Sequence, residues 1–383
     1  MKRVQLQRTQ QKTRSAPRAA HGLAAHRLIG TGPVRPVGSG LDDAALVALP
    51  KAHLHLHLVG SMRPSTLAEW CRRDQRPMPC LDLGSGGWSR FHGLYEAASA
   101  SVRSEADLRR LVDELVEDQS RDGAWWVEIT ADPGNYGGRI GSADQVLEIL
   151  IDAGAQAGVC HGVAVGWVVC ANRSRPPEQA VELARLASAH AGRGVVGFGL
   201  ANDERAAPTV SFVEAFTMAR NAGLMPVPHA GELCGASSVA EAVRLLGAKR
   251  IGHGVRALED PAVVELLRTN DVTLEVCPTS NLALGVYDAQ WASTHPGCAH
   301  PVDRLRAAGV KVCLNADDPL LFGASLFDEY RLANQVLGWE PAELASSAVA
   351  SIEAACCPEA LQQNLLGKVD QWLDVYGASR GSC

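Results

Sequence analysis

Residues 49–61 read LPKAHLHLHLVGS, an apolar run in which His53, His55 and His57 alternate with leucines. Side chains at i and i+2 of a strand leave it on the same side, so His55 and His57 project together, away from the leucines beside them. Two imidazoles converging at a strand end are half of a metal site, although the same pattern also describes an amphipathic strand with a wet histidine face. The rest of the chain decides between the two. Short β-rich runs recur after it: AWWVEITAD at 124–132, GVAVGWVVCAN at 162–172, VVGFGLAND at 195–203, MPVPHAGE at 225–232, RIGHG at 250–254, VTLEVCPTSN at 272–281 and KVCLNADDP at 311–319. With KAHLHLHL at 51–58 they number eight, each separated from the next by a helical pattern, which predicts an α/β fold of the parallel (β/α)8 TIM-barrel type. A doubly wound open sheet is the alternative, but no GxGxxG or GxxxxGK[ST] follows any of the runs. The helices carry their own punctuation. SSVAEAVRLLG has Ser238 and Glu241 at capping-box spacing and Gly247 at its end, and LEDPAVVELLRTN opens with Asp260 as cap and Pro261 at the first helical position.

At 383 residues and 46% hydrophobic side chains, the chain can bury a large core. A net charge of −6 argues against nucleic acid and anionic membranes as partners, since both select a basic face, and leaves small molecules. No apolar run reaches the ~18 residues of a membrane span and the N-terminus lacks a signal-peptide core, so the expectation is a protein neither exported nor anchored. Eleven cysteines, scattered singly apart from Cys356 and Cys357, suggest reduced thiols in a cytoplasm. Residues 1–40 carry Lys2, Arg3, Arg8, Lys12, Arg14, Arg18, Arg27 and Arg35 with no acid, which reads as a disordered basic arm ahead of a single barrel domain at 41–383.

The informative regularity is where polar residues fall. Run after run gives way at its C-terminal end to His55/His57, Asp203/Glu204, His229/Glu232, His253 and Asp317/Asp318. A barrel gathers those ends on one face, and clustered buried carboxylates and imidazoles are tolerable when paired or bound to a metal. Three histidines and a carboxylate suit a borderline-soft divalent ion, and a catalytic zinc commonly keeps one position open. We assign His55, His57, His229 and Asp317 as ligands of one zinc, with Asp317 thereby part of the catalytic set, and leave His253 and Glu232 as base and acid at the same rim. Singly, HAGE reads as a turn, GHG as a satisfied core histidine and DDP as a helix cap. Their joint occurrence at successive strand ends favours the metal site.

PKAHLHLHLVGS, HAGE, RIGHGVRALED, EVCPTSN and LNADDPLLFG, in that order over residues 49–335, resemble the signature blocks of the adenosine deaminase family, a branch of the metallo-dependent hydrolases. The resemblance implies a barrel with one zinc that removes the 6-amino group of an adenine nucleoside by hydrolysis, giving the inosine-type product and ammonia. Position by position it implies the same four zinc ligands, Glu232 as the group that protonates N1, His253 as partner of the attacking water, Asp318 as partner of N7 and the backbone N–H of Asn202 at N3. The residue types suit that chemistry. Addition at C6 dearomatises the ring, so a proton must reach N1, and a carboxylic acid with a raised pKa can deliver it. The segment GGWSRFHGLYEAA at 86–98 lies in the first β-to-α connection, where this family builds a helical lid, and puts Trp88, Phe91 and Leu94 over the substrate; the same residues at i, i+3 spacing also fit ordinary helix packing.

Three positions depart from the family pattern. Val59 stands where an acidic residue usually holds the sugar 5′-hydroxyl, Asn202 replaces the glycine of LAGDE, and Gly199 stands where an acid is common. From Val59 follows the expectation of an adenine nucleoside altered at the 5′ position, such as methylthioadenosine, S-adenosylhomocysteine or aminodeoxyfutalosine, with adenosine accepted and free adenine as an alternative. A binuclear amidohydrolase is disfavoured because VVGFGLAND offers no bridging lysine, and a non-catalytic relative because Glu232, His253 and every ligand are present. A monomer or homodimer is expected.

Overall fold

The computed structural model describes residues 41–287 and 300–377, so the basic segment 1–40 lies outside the described residues. Eight strands follow one another: β1 Lys51–His57, β2 Ala124–Ala131, β3 Ala164–Asn172, β4 Val195–Ala201, β5 Met225–Ala230, β6 Arg250–His253, β7 Thr273–Val276 and β8 Lys311–Leu314. Their order in the sheet is the order in the chain, and each consecutive pair is parallel. All eight apolar runs are strands. VTLEVCPTSN is cut short at Val276 because Pro278, which has no N–H for the ladder, opens the helix Pro278–Ala283.

The seam between β8 and β1 is closed by side chains as much as by backbone. One bridge joins Leu56 to Asp317, with the His57 N–H donating to the Asp317 carbonyl and the Asp317 N–H to the His55 carbonyl, both at 3.1 Å. Below it, Asn315 Oδ1 accepts from the N–H groups of Leu54 (2.8 Å) and His55 (3.0 Å), and His53 Nε2 accepts from the Ala316 N–H (3.0 Å). A metal-ligand candidate from the last run is thereby fixed to the strand carrying two from the first.

Strand β1 is bulged. His53 pairs with Val127 and Leu56 with Ile129, so three steps along β1 match two along β2. The extra residue breaks the alternation of the HLHLHL run. His53 bonds Gln119 on the surrounding helix Glu105–Arg121 through Nδ1 (2.6 Å), while His55 turns to the barrel centre. Burial pushes His53 down to about 4, so it is a neutral core histidine satisfied at both nitrogens.

Two apolar clusters fill the space around the barrel, and a smaller one containing Ala52, Leu54, Trp126 and Cys313 packs separately from them. Three fully buried charges join the strands: Arg250 donates to Glu128 (2.6 Å) and to Glu275 (2.7 Å). Buried ions cost several kcal/mol each unless paired, and here one guanidinium serves two carboxylates. Asp260 caps the helix Pro261–Thr269 as expected, and Gly247 ends Ala236–Leu246 in the left-handed conformation. Ser238 does not cap that helix. Gly235 is the N-cap, and Ser238, inside the first turn, gives its hydroxyl to Glu204 instead. Among the described residues no helix is long and apolar enough to cross a membrane.

Candidate active site

His55 and His57 at the end of β1, His229 on β5 and Asp317 just after β8 converge at the C-terminal ends of the strands. One donor atom from each lies within 4.8 Å of the others. Nε2 of His55 and Nε2 of His57 are each 3.3 Å from Asp317 Oδ1, and the Nε2 atoms of His57 and His229 are 3.2 Å apart. His55 is held from behind by Glu275, whose Oε2 meets Nδ1 at 3.1 Å, and its buried Nε2 makes no hydrogen bond. Burial alone would lower the His55 pKa, but Asp317 and Glu275 raise it to about 10. Asp317 and Glu275 thus favour positive charge at His55, whereas burial, and then His55 itself, holds His229 well below the usual range. A carboxylate-backed imidazole with a buried, unsatisfied nitrogen beside two more imidazoles and a carboxylate is a donor set that fits zinc.

A second layer, not anticipated from the sequence, orients these groups. Ser280 donates to Asp317 Oδ2 (2.6 Å) and Asn281 Nδ2 lies 3.0 Å from His253 Nδ1, both from the helix that Pro278 starts. His253 Nε2 faces Glu232 Oε1 at 3.6 Å and Asp317 Oδ2 at 4.0 Å. Burial, then the neighbouring His55, lowers His253 to about 3, so it is neutral. The Asn281 Oδ1 has no hydrogen-bond partner. Turned end for end, that amide would accept from Nδ1–H and leave Nε2 as a proton acceptor.

Glu232 sits in the turn after β5, and Glu204 builds that turn. Its Oε1 accepts from Gly231 N–H (2.7 Å) and the Ser238 hydroxyl, and its Oε2 from the N–H groups of Glu232 (3.1 Å), Leu233 (2.8 Å) and Cys234 (2.8 Å). Four consecutive amides are thus wrapped around one buried carboxylate. Of the LANDE pair, Glu204 is structural to the site and Asp203 turns to Arg205 instead (2.8 Å). Burial, followed by Asp317 and Glu204, pushes Glu232 well above the usual carboxylate range.

Asp318 is buried beside them. Its Oδ1 has no partner, it makes no side-chain cap to the helix Pro319–Phe322, and burial followed by Asp317 raises its pKa well above normal. Only glycine fits opposite: a Cβ at Gly60 would lie 1.6 Å from Asp318 Oδ1. Of the five described non-glycine residues with positive φ, three belong to this candidate site, Asn202 (79°), His253 (64°) and Asp317 (61°), and such backbone strain concentrates at functional positions. At Asn202 the conformation explains the family's glycine, and asparagine is among the residues that tolerate it best.

These groups open into a cavity lined by His57, His229, Glu232, His253, Asp317 and Asp318 and also by Thr130, Asp132, Asn135, Asn172 and Asn202. The helix Gly87–Ser99 covers it with Trp88, Phe91 and Tyr95, and Phe91 stacks on Phe322 with ring centroids 5.3 Å apart. The lid expectation for Trp88 and Phe91 thus has its geometry. Leu94 is buried in the core and is not a lining residue. Val59 is not one either. It lies in the 3-10 turn Val59–Ser61, 3% exposed, packed in the core cluster that also holds Leu58 and Met62, and the inference from it about the 5′ position loses its footing.

Residues 50–372 match the adenosine deaminase family model. The chain belongs to the adenosine deaminase family. It is a hydrolase acting on a C–N bond. Among its relatives, a protein of Streptomyces coelicolor called a putative adenosine/adenine deaminase is 44% identical over 85% of this chain and 97% of its own. An adenine deaminase of Rhizobium leguminosarum is 35% identical over 84% and 99%. Of solved structures, adenine deaminase from Arthrobacter aurescens superposes with a TM-score of 0.77 at 29% identity, covering 85% of this chain and 99% of that one.

Proposed function

We propose that this chain removes the exocyclic amine from C6 of an adenine ring by hydrolysis, with one zinc ion held by His55, His57, His229 and Asp317. The observation that carries the reading is the placement of a buried carboxyl of raised pKa, Glu232, in the same cavity as a three-histidine, one-carboxylate cluster. An ion bound there supplies a nucleophile of hydroxide strength at neutral pH. The chain's own groups do the rest. Glu232, kept protonated by burial, donates to N1 as the oxygen of water joins C6 and electron density moves onto the ring. His253 takes up the proton given by the water. Asp318, also protonated, donates to N7 and aligns the purine. His253 passes the proton it received to the departing nitrogen, the C6–N bond breaks and ammonia leaves, and the proton of the C6 hydroxyl returns to Glu232, so the product carries oxygen at C6 and hydrogen at N1. Trp88 and Phe91 exclude bulk water during these transfers.

The substrate is accordingly a small purine rather than nucleic acid. The nine described cysteines are all free thiols, which supports a cytoplasmic location. The test combines metal analysis with the ultraviolet change that accompanies conversion of a 6-aminopurine to a 6-oxopurine. One zinc per chain and release of ammonia from adenine or adenosine are expected; two ions per chain, or no turnover of any 6-aminopurine, would refute the reading.

A further inference from the structure

His253 is buried and held in the left-handed region of backbone space, so the direction of its ring is set by tertiary contacts and not by local preference. Its Nε2 faces the ligand cluster, 4.0 Å from Asp317 Oδ2. The other ring nitrogen, Nδ1, meets the side-chain amide of Asn281 at 3.0 Å. Asn281 is fully buried on the helix Pro278–Ala283, which is held at both ends of its first turn: the Asn281 N–H donates to the Cys277 carbonyl at 2.9 Å, and the carboxyl oxygens of the buried Glu329 accept from the Thr279 N–H at 3.2 and 3.4 Å. A neutral imidazole carries one proton, and the partner at one nitrogen decides which nitrogen holds it. With the NH2 of Asn281 at Nδ1, the proton sits on Nε2 and points toward the ligand cluster. With the amide oxygen there, the proton sits on Nδ1 and Nε2 keeps its lone pair. Nothing donates to Asn281 Oδ1 in the first arrangement, so exchanging the two ends of the amide gives up no accepted bond. A cation held by His55, His57, His229 and Asp317 repels an N–H aimed at it and attracts a lone pair, which favours the second arrangement.

We infer that Asn281 is a positioning residue that offers its side-chain oxygen to His253 Nδ1–H and thereby keeps Nε2 free to accept the proton of the attacking water. The inference rests on the deaminase reading above and deepens it by naming what makes His253 a base. As the water oxygen joins C6, its O–H bond breaks and the proton passes to Nε2. The ring then carries N–H at both nitrogens, with Nδ1–H still bonded to the Asn281 oxygen. When Nε2 hands that proton to the departing nitrogen, the ring returns to the starting tautomer. A ring protonated at Nε2 from the outset has no lone pair to offer and blocks the first transfer.

The experiment compares zinc-loaded wild type, Asn281→Leu and Asn281→Asp for kcat and KM on adenine and adenosine, with zinc content and thermal midpoint measured for each, and locates the His253 proton in the wild type by joint X-ray and neutron crystallography. Leucine fills the space without a polar partner, and a catalytic histidine in the wrong tautomer can lose ~10⁴-fold in kcat, so Asn281→Leu should fall at least ~100-fold in kcat with KM within ~3-fold. Aspartate can accept from Nδ1–H as the amide oxygen does, so Asn281→Asp should recover at least ~10-fold of that loss; if Asn281 instead donated to Nδ1, aspartate would serve no better than leucine. The neutron map should place the proton on Nδ1. A proton on Nε2, a folded and zinc-bound Asn281→Leu within ~5-fold of wild type in kcat, or an Asn281→Asp no more active than Asn281→Leu overturns the inference. If a variant does not fold, the wild-type proton position decides. Absence of turnover on both compounds by zinc-loaded wild type would defeat the deaminase reading itself, and the proton position would still decide which end of the amide faces His253.

Discussion

Glu204→Gln replaces one carboxylate oxygen by an NH2 group at a place where both oxygens face donors. The less disruptive orientation puts the NH2 at the Oε1 position, because the Ser238 hydroxyl can rotate to accept from it, whereas Oε2 faces three backbone N–H groups that cannot. Even so, the Gly231 N–H, now 2.7 Å from its acceptor, would confront another N–H. A buried donor left unsatisfied costs about 1–3 kcal/mol, and three remaining bonds lose their charge assistance at roughly 0.5–1 kcal/mol each. Relief from burying a charge offsets part of this, for a net loss of about 2–4 kcal/mol. Because the displaced segment contains Glu232, catalysis should suffer with stability: a misplacement of ~1 Å can cost ~100-fold in rate. The assay is urea unfolding and kcat for adenine, wild type and variant both saturated with zinc so that metal loss does not enter. A variant within ~0.5 kcal/mol of wild type in stability and within ~3-fold in kcat would show that the four-amide turn does not depend on the Glu204 charge.

Glu232→Gln should retain zinc yet lose about 10²–10⁴-fold in kcat, since the amide has nearly the shape of the acid but no proton for N1; turnover within ~10-fold of wild type would assign the proton to another group. Because burial holds the Glu232 carboxyl well above the unfolded-state value of 4.5, the proposed donor is lost as pH rises through the folded value, so wild-type kcat/KM should fall on its alkaline limb and the variant should lack that limb. The same shift means that the contribution of Glu232 to stability is complete below the unfolded value and fades as pH climbs toward the folded one, which pH-dependent urea midpoints would follow. Arg250→Met leaves Glu128 and Glu275 buried without their shared cation and should destabilise the fold by roughly 3–5 kcal/mol. Since Glu275 backs His55, zinc affinity should also drop ~10–100-fold in a chelator competition, and a variant of wild-type stability would remove the buried charges from the account of the barrel.

Much of this protein is legible from its chain alone. The eight strands, the parallel barrel and the four side chains that cluster at its rim are carried by short contiguous runs whose apolar stretch ends in a polar side chain, so local pattern and candidate site coincide. Asp260 with Pro261 likewise marks a helix start without help from the rest of the fold. Where the local rule and the tertiary contacts compete, the contacts decide. Strand alternation groups His53 with His55 and His57, but pairing with β2 inserts a bulge that sends His53 to Gln119. Capping-box spacing places Ser238 at a helix start, but a carboxylate 34 residues away takes its hydroxyl and the helix begins at Ala236. Val59 sits next to signature residues yet is buried in the core, because a 3-10 turn of three residues carries it there. The groups that orient the chemistry, Glu204, Glu275, Ser280 and Asn281, act across gaps of between 27 and 220 residues. A single chain read along its length specifies which side chain ends each strand; which buried donor meets which acceptor depends on how the strands close into a barrel, and only the folded barrel sets that.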